Sequence, residues 1–233
     1  MLARSIKEKI KKGNVSIGSW ISMAHPSIAE IVATAGYDWT VIETEHTSID
    51  VSEVLHLIIA IEKSGSIPLV RLAGNDPIQA KAVLDAGSAG LLVPMINTKK
   101  DAEIAVKMSK YPPLGYRGVG LARAQGYGNS FEEYVKSANK DSLLIVQIEH
   151  IDAVNNIDEI LSVPGLDGIF IGPYDLSMSL GIPGKLNHPD VVNAKKKVLK
   201  ATLDKGLIAG IHCVHPDKSF LDCKDAIKDG YSF

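Results

Sequence analysis

Glu149 closes the apolar run LLIVQI, and Asp175 follows GIFIGPY, so each carboxylate stands just past a β-branched segment. Two carboxylates so placed, with no lysine beside them in sequence, make an oxygen-rich site for a hard divalent cation whose shell is completed by water and substrate. The same residues in solvated loops would bind nothing; the strand-end position of both favours the cation. A histidine joins them in VIETEH, where His46 is accompanied by Glu43 and Glu45. A carboxylate bonded to one ring nitrogen fixes the tautomer and leaves the other nitrogen basic, as acid–base catalysis requires. Glu43 is the expected orienter, and Glu45 the expected partner of water on the metal. Arg71 ends the run IPLVR. Its rigid, permanently charged fork suits a carboxylate or a developing enolate oxygen, and a salt bridge at the rim is the alternative use. Among the other histidines, His56, His150, His188 and His215 read as ordinary polar residues, whereas His25 and His212 stand as candidate pocket walls.

These residues need a scaffold that brings strand ends together. Short apolar runs at 17–22, 39–43, 67–71, 90–93, 143–149, 168–171 and 207–211 alternate with helix-period segments at 28–35, 51–63, 78–86, 99–109, 153–161, 191–204 and 217–227. Continuous apolar runs mark parallel strands covered on both faces. Ser27, Asp50 and Asp76 with Pro77 supply helix starts, and Gly36, Gly87, Gly206 and Gly230 supply stops. The alternation fits either a closed barrel or a doubly wound sheet. No GxGxxG follows the first strand, and the polar residues cluster at the C-terminal tips, which converge in a barrel and spread out in an open sheet. The expectation is a (β/α)8 TIM barrel, one domain over 1–233. The stretch 111–130, YPPLGYRGVGLARAQGYGNS, reads as a lid or substrate loop. The sequence reaches DGYSF where an eighth strand should begin. Three readings stand: a truncation, a stub strand at 231–233, or a gap covered by a neighbouring subunit.

Composition excludes several classes. With 233 residues, 45% hydrophobic and 22% charged, and a net charge of −2, the chain is an ordinary globular one without the basic footprint of a nucleic-acid binder. Cys213 and Cys223 offer neither a CxxC nor a disulfide framework, which fits a reducing, cytoplasmic setting. The start, MLARSIKEKIKKG, lacks a signal-peptide core, and no run is long enough to span a membrane. Leu2, Ile6 and Ile10 with intervening lysines have the pattern of a helix capping a barrel floor.

Taken in order, GYDWTVIETEH, PLVRLAGNDP, GLLVPM, YPPLGYRGVG, VQIE and GLDGIFIGPYDLSMSLG resemble the class II pyruvate aldolases of the HpcH/HpaI family, from about residue 15 to 215. The resemblance implies Glu149 and Asp175 as metal ligands, Arg71 on a pyruvate enolate and His46 as acid–base. It also implies Gln147 and the backbone of Gly172, Pro173 and Tyr174 around the pyruvate carboxylate. The implied reaction is reversible retro-aldol cleavage of a 4-hydroxy-2-oxo acid to pyruvate and an aldehyde, with Mg2+, Mn2+ or Co2+, in a homo-oligomer for which the family suggests a hexamer. This chain departs from the family pattern with Glu43 for a common Asp and Tyr174 for a common small residue. The alternatives are a citrate lyase β or malyl-CoA type carbon–carbon lyase, and a truncated inactive barrel serving as a binding or assembly subunit. No strand run ends in Lys, which disfavours a Schiff-base aldolase.

Overall fold

The computed structural model describes residues 2–215 and 217–233, with the side chain of residue 2 outside that description. Seven strands form one parallel sheet in sequence order: β1 (Gly18–Ile21), β2 (Trp39–Glu43), β3 (Ile67–Arg71), β4 (Gly90–Val93), β5 (Leu143–Ile148), β6 (Gly168–Ile171) and β7 (Ile208–Ile211). The helices are α1 (Leu2–Lys11), α2 (Pro26–Thr34), α3 (Val51–Lys63), α4 (Pro77–Ala86), α5 (Lys99–Ser109), α6 (Phe131–Asp141), α7 (Ile151–Asn155), α8 (Ile157–Ile160), α9 (Pro173–Ser179), α10 (Pro189–Asp204) and α11 (Ser219–Asp229). None among the described residues is long and apolar enough to cross a membrane.

Side chains alternate between two cores, as the period of a strand demands. Val70, Val146, Ile148, Ile169 and Ile171 pack outward with the helices. Trp39, Val41, Ile67, Leu69, Leu92, Leu143, Ile145 and Phe170 pack together on the inner face of the curled sheet. Continuing that inner parity toward the strand ends brings up Glu43, Arg71, Gln147 and Glu149. Strand β2 pairs with β3 so that Glu43 lies opposite Arg71. The apolar inner face thus ends in a polar layer at the C-terminal tips.

The other end is closed by α1, where Ala3 and Ile6 join the inner core as the capping pattern predicts. Lys7 Nζ lies 2.6 Å from Asp167 Oδ1, just before β6, and Lys9 Nζ lies 2.6 Å from Asp38, just before β2. These pairs pin the helix to the N-terminal ends of the strands.

Seven strands, not eight, are assigned among the described residues. Residues 231–233 nevertheless carry backbone bonds to both sides of the gap. Ser232 N donates to Ala209 O at 2.9 Å, Ile211 N to Phe233 O at 3.1 Å, and Ser16 N to Ser232 O at 2.9 Å. Phe233 stacks on Trp39 with ring centroids 4.3 Å apart.

Asp50 and Asp76 cap α3 and α4 as expected, whereas α2 begins on His25, whose Nδ1 accepts from Ser27 N at 3.2 Å. His25 is therefore a cap. The segment expected as one helix at 153–161 divides at Asn156 into α7 and α8. Helix α9 was not anticipated; Gly172 before a Pro at the first helical position is the signal that marks it.

Candidate active site

A buried polar network runs across the tips of β2, β3 and β5. Arg71 is buried, with 6% exposure, and its Nη2 makes a close ion pair with Glu43 Oε2. Nη1 lies 3.2 Å from Glu45 Oε2 and 3.5 Å from Gln147 Oε1. Gln147 Nε2 in turn makes a short hydrogen bond to Glu149 Oε2. Glu149 Oε1 accepts from the backbone N–H of Met95 at 2.7 Å. Met95 holds φ at 53°, a left-handed conformation uncommon for a side-chain-bearing residue, and one met at functional sites.

The guanidinium sits 4.9 Å from the Trp20 ring centroid, which stacks on His212 at 4.7 Å. Burial holds the His212 imidazole down at about 4, and the Arg71 charge works in the same direction. Arg71 Nε and Glu45 Oε2 are buried without a hydrogen-bond partner among the described residues.

Glu43 does not hold the His46 ring. Its Oε1 accepts from the backbone N–H groups of Glu45 at 2.7 Å and His46 at 3.2 Å, and its Oε2 is committed to Arg71. Glu43 therefore shapes the turn that carries the histidine. The His46 side chain is 63% exposed, with Nε2 3.7 Å from Glu45 Oε2, so Glu45 is the carboxylate beside the ring.

Asp175 lies in the first turn of α9, exposed, and its charge raises the Glu149 carboxyl. Burial is the larger cause of that rise, opposed first by the Met95 N–H and then by Gln147 and Arg71. Burial likewise pushes Glu45 up to about 7, against the lowering pull of Arg71. Among the described residues no group of three or more His, Cys, Asp or Glu is arranged to hold a metal. Two carboxylates with water and substrate are a different, sparser shell, and the site fits it. Glu43 and Glu45 share the one guanidinium of Arg71, while Asp175 raises the Glu149 carboxyl, so added positive charge beside those two carboxylates would be favoured. Gly172 also keeps space open: a Cβ there would lie 3.0 Å from Glu149 Oε2 and 3.1 Å from Gln147 Nε2.

The stretch 111–130 does not lie over these tips. Arg117 is buried against Asp85 of α4 at 2.7 Å, with its guanidinium over Tyr111 at 4.6 Å. Arg123 pairs with Glu62 of α3 and donates to Ala86 O at 3.2 Å. Both arginines anchor the stretch to the outer helices, so the lid expectation fails within one chain. His150 and His188 are helix caps, each Nδ1 accepting a backbone N–H two residues on. Trp20 and Met95 were missed from sequence: the first acts through a partner on a distant strand, the second through a backbone angle that no residue type announces.

A parallel β/α fold with buried ionisable groups at the carboxyl ends of its strands defines an α/β enzyme that works at that face. The chain belongs to the HpcH/HpaI aldolase/citrate lyase family, whose profile matches residues 16–224. It is 41% identical over 220 residues to 2-keto-3-deoxy-L-rhamnonate aldolase of Escherichia coli strain K12, covering 93% of this chain and 82% of that protein. Among solved structures it is similar to an HpcH/HpaI aldolase/citrate lyase family protein from Burkholderia cenocepacia J2315. That comparison gives a TM-score of 0.91 and 34% identity, covering 98% of this chain and 90% of the other. An HpcH/HpaI aldolase from Desulfitobacterium hafniense DCB-2 follows with TM-score 0.87 and 31% identity, covering 97% and 87%. Aldolases are carbon–carbon lyases, and that is the enzyme class of this chain.

Proposed function

We propose that the protein catalyses reversible retro-aldol cleavage of a 4-hydroxy-2-oxo acid to pyruvate and an aldehyde, with a divalent cation held by Glu149 and Asp175. The observation that carries this reading is the polar chain Glu43–Arg71–Gln147–Glu149, which ends in a buried carboxylate that burial and then the charge of a second carboxylate, Asp175, push up against the pull of Arg71. The named relative acts on a 2-keto-3-deoxy sugar acid, which has the same 4-hydroxy-2-oxo pattern.

Bound there, Mg2+, Mn2+ or Co2+ supplies Lewis-acid polarisation of the 2-oxo acid. The remaining steps belong to the chain. His46, through one water, takes the proton from the C4 hydroxyl. The C3–C4 bond breaks, its electron pair moves onto the C2 oxygen as an enolate, and the aldehyde leaves. Arg71 stabilises that oxyanion, and its buried Nε–H is the donor left over for it. Protonation at C3 then yields pyruvate. Gln147 and the backbone of Gly172, Pro173 and Tyr174 hold the pyruvate carboxylate, Glu43 holds Arg71 and the His46 turn, and Glu45 sits beside the His46 ring.

A Schiff-base route finds no support. Lys110, buried and lowered to about 8 by burial, sits against Ser142 and Asp167 at the opposite ends of the strands. We further propose that 231–233 begins the eighth strand of a (β/α)8 barrel formed by one domain over 1–233. The working form we propose is a homo-oligomer, whose contact surface includes the exposed Leu114, Tyr116, Val119, Leu121 and Tyr127.

Pyruvate release from a 2-keto-3-deoxy sugar acid, assayed with Mn2+ or Mg2+ and again after chelation, tests the reading. Turnover that depends on the metal is expected. Full activity after chelation, or turnover only with coenzyme A thioesters, would overturn it.

A further inference from the structure

Trp20 stands on β1 and His212 directly after β7, the two strands that end the sheet order and are not paired with each other among the described residues. His212 shares the inner parity of Ile208 and Gly210 on β7. A Cβ on Gly210 would lie 2.5 Å from Phe170 Cδ2 and 2.9 Å from Phe233 Cδ1, so the bare glycine admits those rings. His212 carries the aromatic cluster on to the strand tips. Its ring stacks on Trp20 with centroids 4.7 Å apart and planes 27° apart, and it meets Phe170 at 5.9 Å. Trp20 meets Phe170 at 5.8 Å. Residues 231–233 span the gap between β7 and β1 with backbone bonds, and the Trp20–His212 stack spans it with side chains. The backbone N–H of His212 donates to Ile171 O at 3.2 Å, which ties this residue to β6.

Arg71 Cζ lies over Trp20, 4.9 Å from the ring centroid, and its two Nη atoms are held by Glu43 and Glu45. Two held points leave one freedom, a swing of the guanidinium plane about the line that joins them. That swing decides where Nε–H points. A flat ring against the cation limits the swing, provided the ring is itself held. We propose, on the reading above that Arg71 stabilises the enolate, that His212 is a positioning residue. By stacking on Trp20 it fixes the plane of the Arg71 fork, and so the aim of Nε–H at the oxyanion. The role needs a flat ring and no proton. Burial, then the Arg71 charge, holds the imidazole down at about 4, so at neutral pH the stack brings no second positive charge beside Arg71.

The full chain labelled with 15N-arginine tests this, the Arg71 Nε–H resonance being assigned by its loss in Arg71→Lys. In the wild type it is expected sharp and shifted upfield by the Trp20 ring. In His212→Ala it should broaden and move toward the position of free arginine, and in His212→Phe it should stay near the wild-type position. Deuterium exchange at the pyruvate methyl group with Mg2+ is read alongside. Its turnover number should fall roughly tenfold in His212→Ala, the worth of a well-placed cation–π contact, with little change in KM, and recover in His212→Phe. An unmoved resonance in His212→Ala would overturn the proposal, as would a His212→Phe chain as impaired as His212→Ala. A rise in KM at constant turnover number would overturn it too, since His212 would then line the substrate pocket. A wild-type chain without metal-dependent exchange, whatever its resonance, would instead overturn the aldolase reading on which this role rests.

Discussion

Arg71 faces Glu43 and Glu45 inside the sheet and stacks over Trp20, so its fork is fixed before any substrate arrives. Fixed donors aimed at a developing charge need no reorganisation during reaction, which makes them effective. Arg71→Ala would also strand two buried carboxylates, mixing a loss of chemistry with a loss of stability. Arg71→Lys keeps the charge and removes the fork. It is expected to remain folded by circular dichroism while the turnover number falls by roughly 10²- to 10³-fold, the range for losing one oxyanion donor. Near-wild-type turnover would remove Arg71 from the mechanism. Gly172 tests the neighbouring carboxylate. Its φ of −94° is open to any residue, so the demand for glycine is one of space beside Glu149 and Gln147. Gly172→Ala should weaken Mn2+ binding roughly 10- to 100-fold, as loss of ligand positioning does elsewhere, read by the free Mn2+ signal in electron paramagnetic resonance. Unchanged affinity would show that Glu149 is not positioned as argued.

At the scale of elements, the tip of β7 contributes a histidine that folding keeps neutral. His212 titrates near 4 in the folded chain and near 6.5 when unfolded, so between those values the unfolded state binds more protons. Its contribution is complete above 6.5 and falls as the pH drops toward 4, by about 3 kcal/mol over the window. Glu45, raised to about 7, acts in the opposite sense, losing stability as pH rises through that value. The wild-type slope is therefore a difference of two effects, and the comparison with His212→Phe isolates one. Urea unfolding from pH 7 to 4 should show the variant gaining relative to wild type on acidification, and a constant offset would contradict the assignment. The elements themselves were largely legible. Strands β2, β3, β4 and β6 begin and end where their apolar runs do, because buried parallel strands tolerate little else. The identity of the ionisable residues at the tips was legible too, since the inner parity of each strand carries straight into them. The partners were not. Whether Glu43 turns to Arg71 or to the His46 ring depends on the register of β2 on β3, which sets Glu43 opposite Arg71. The arginines of 111–130 looked like ligand residues because their acidic partners, Asp85 and Glu62, are distant in sequence.

For the whole molecule, the important question is how the curled sheet is held together between β7 and β1. Residues 231–233 bond to Ala209 and Ile211 on one side and to Ser16 on the other. Phe233 buries its ring on Trp39 and against Phe170, within the inner core that supports the polar layer. Phe233→Ala removes a large buried aromatic and should cost about 3–5 kcal/mol, seen as a lower denaturation midpoint at unchanged slope. A shift below 1 kcal/mol, on the order of a surface change, would show that this segment does not close the core.

The central claim is that Glu149 and Asp175 hold a divalent cation against a 2-oxo acid beside Arg71. Crystals grown with Mn2+ and pyruvate, with data collected for the anomalous signal of manganese, test it most directly. The account predicts one strong peak between the two carboxylates, with the carboxylate and ketone oxygens of pyruvate on it and Arg71 toward the ketone oxygen. Ordered pyruvate with no peak at that position, or pyruvate joined to a lysine, would contradict it.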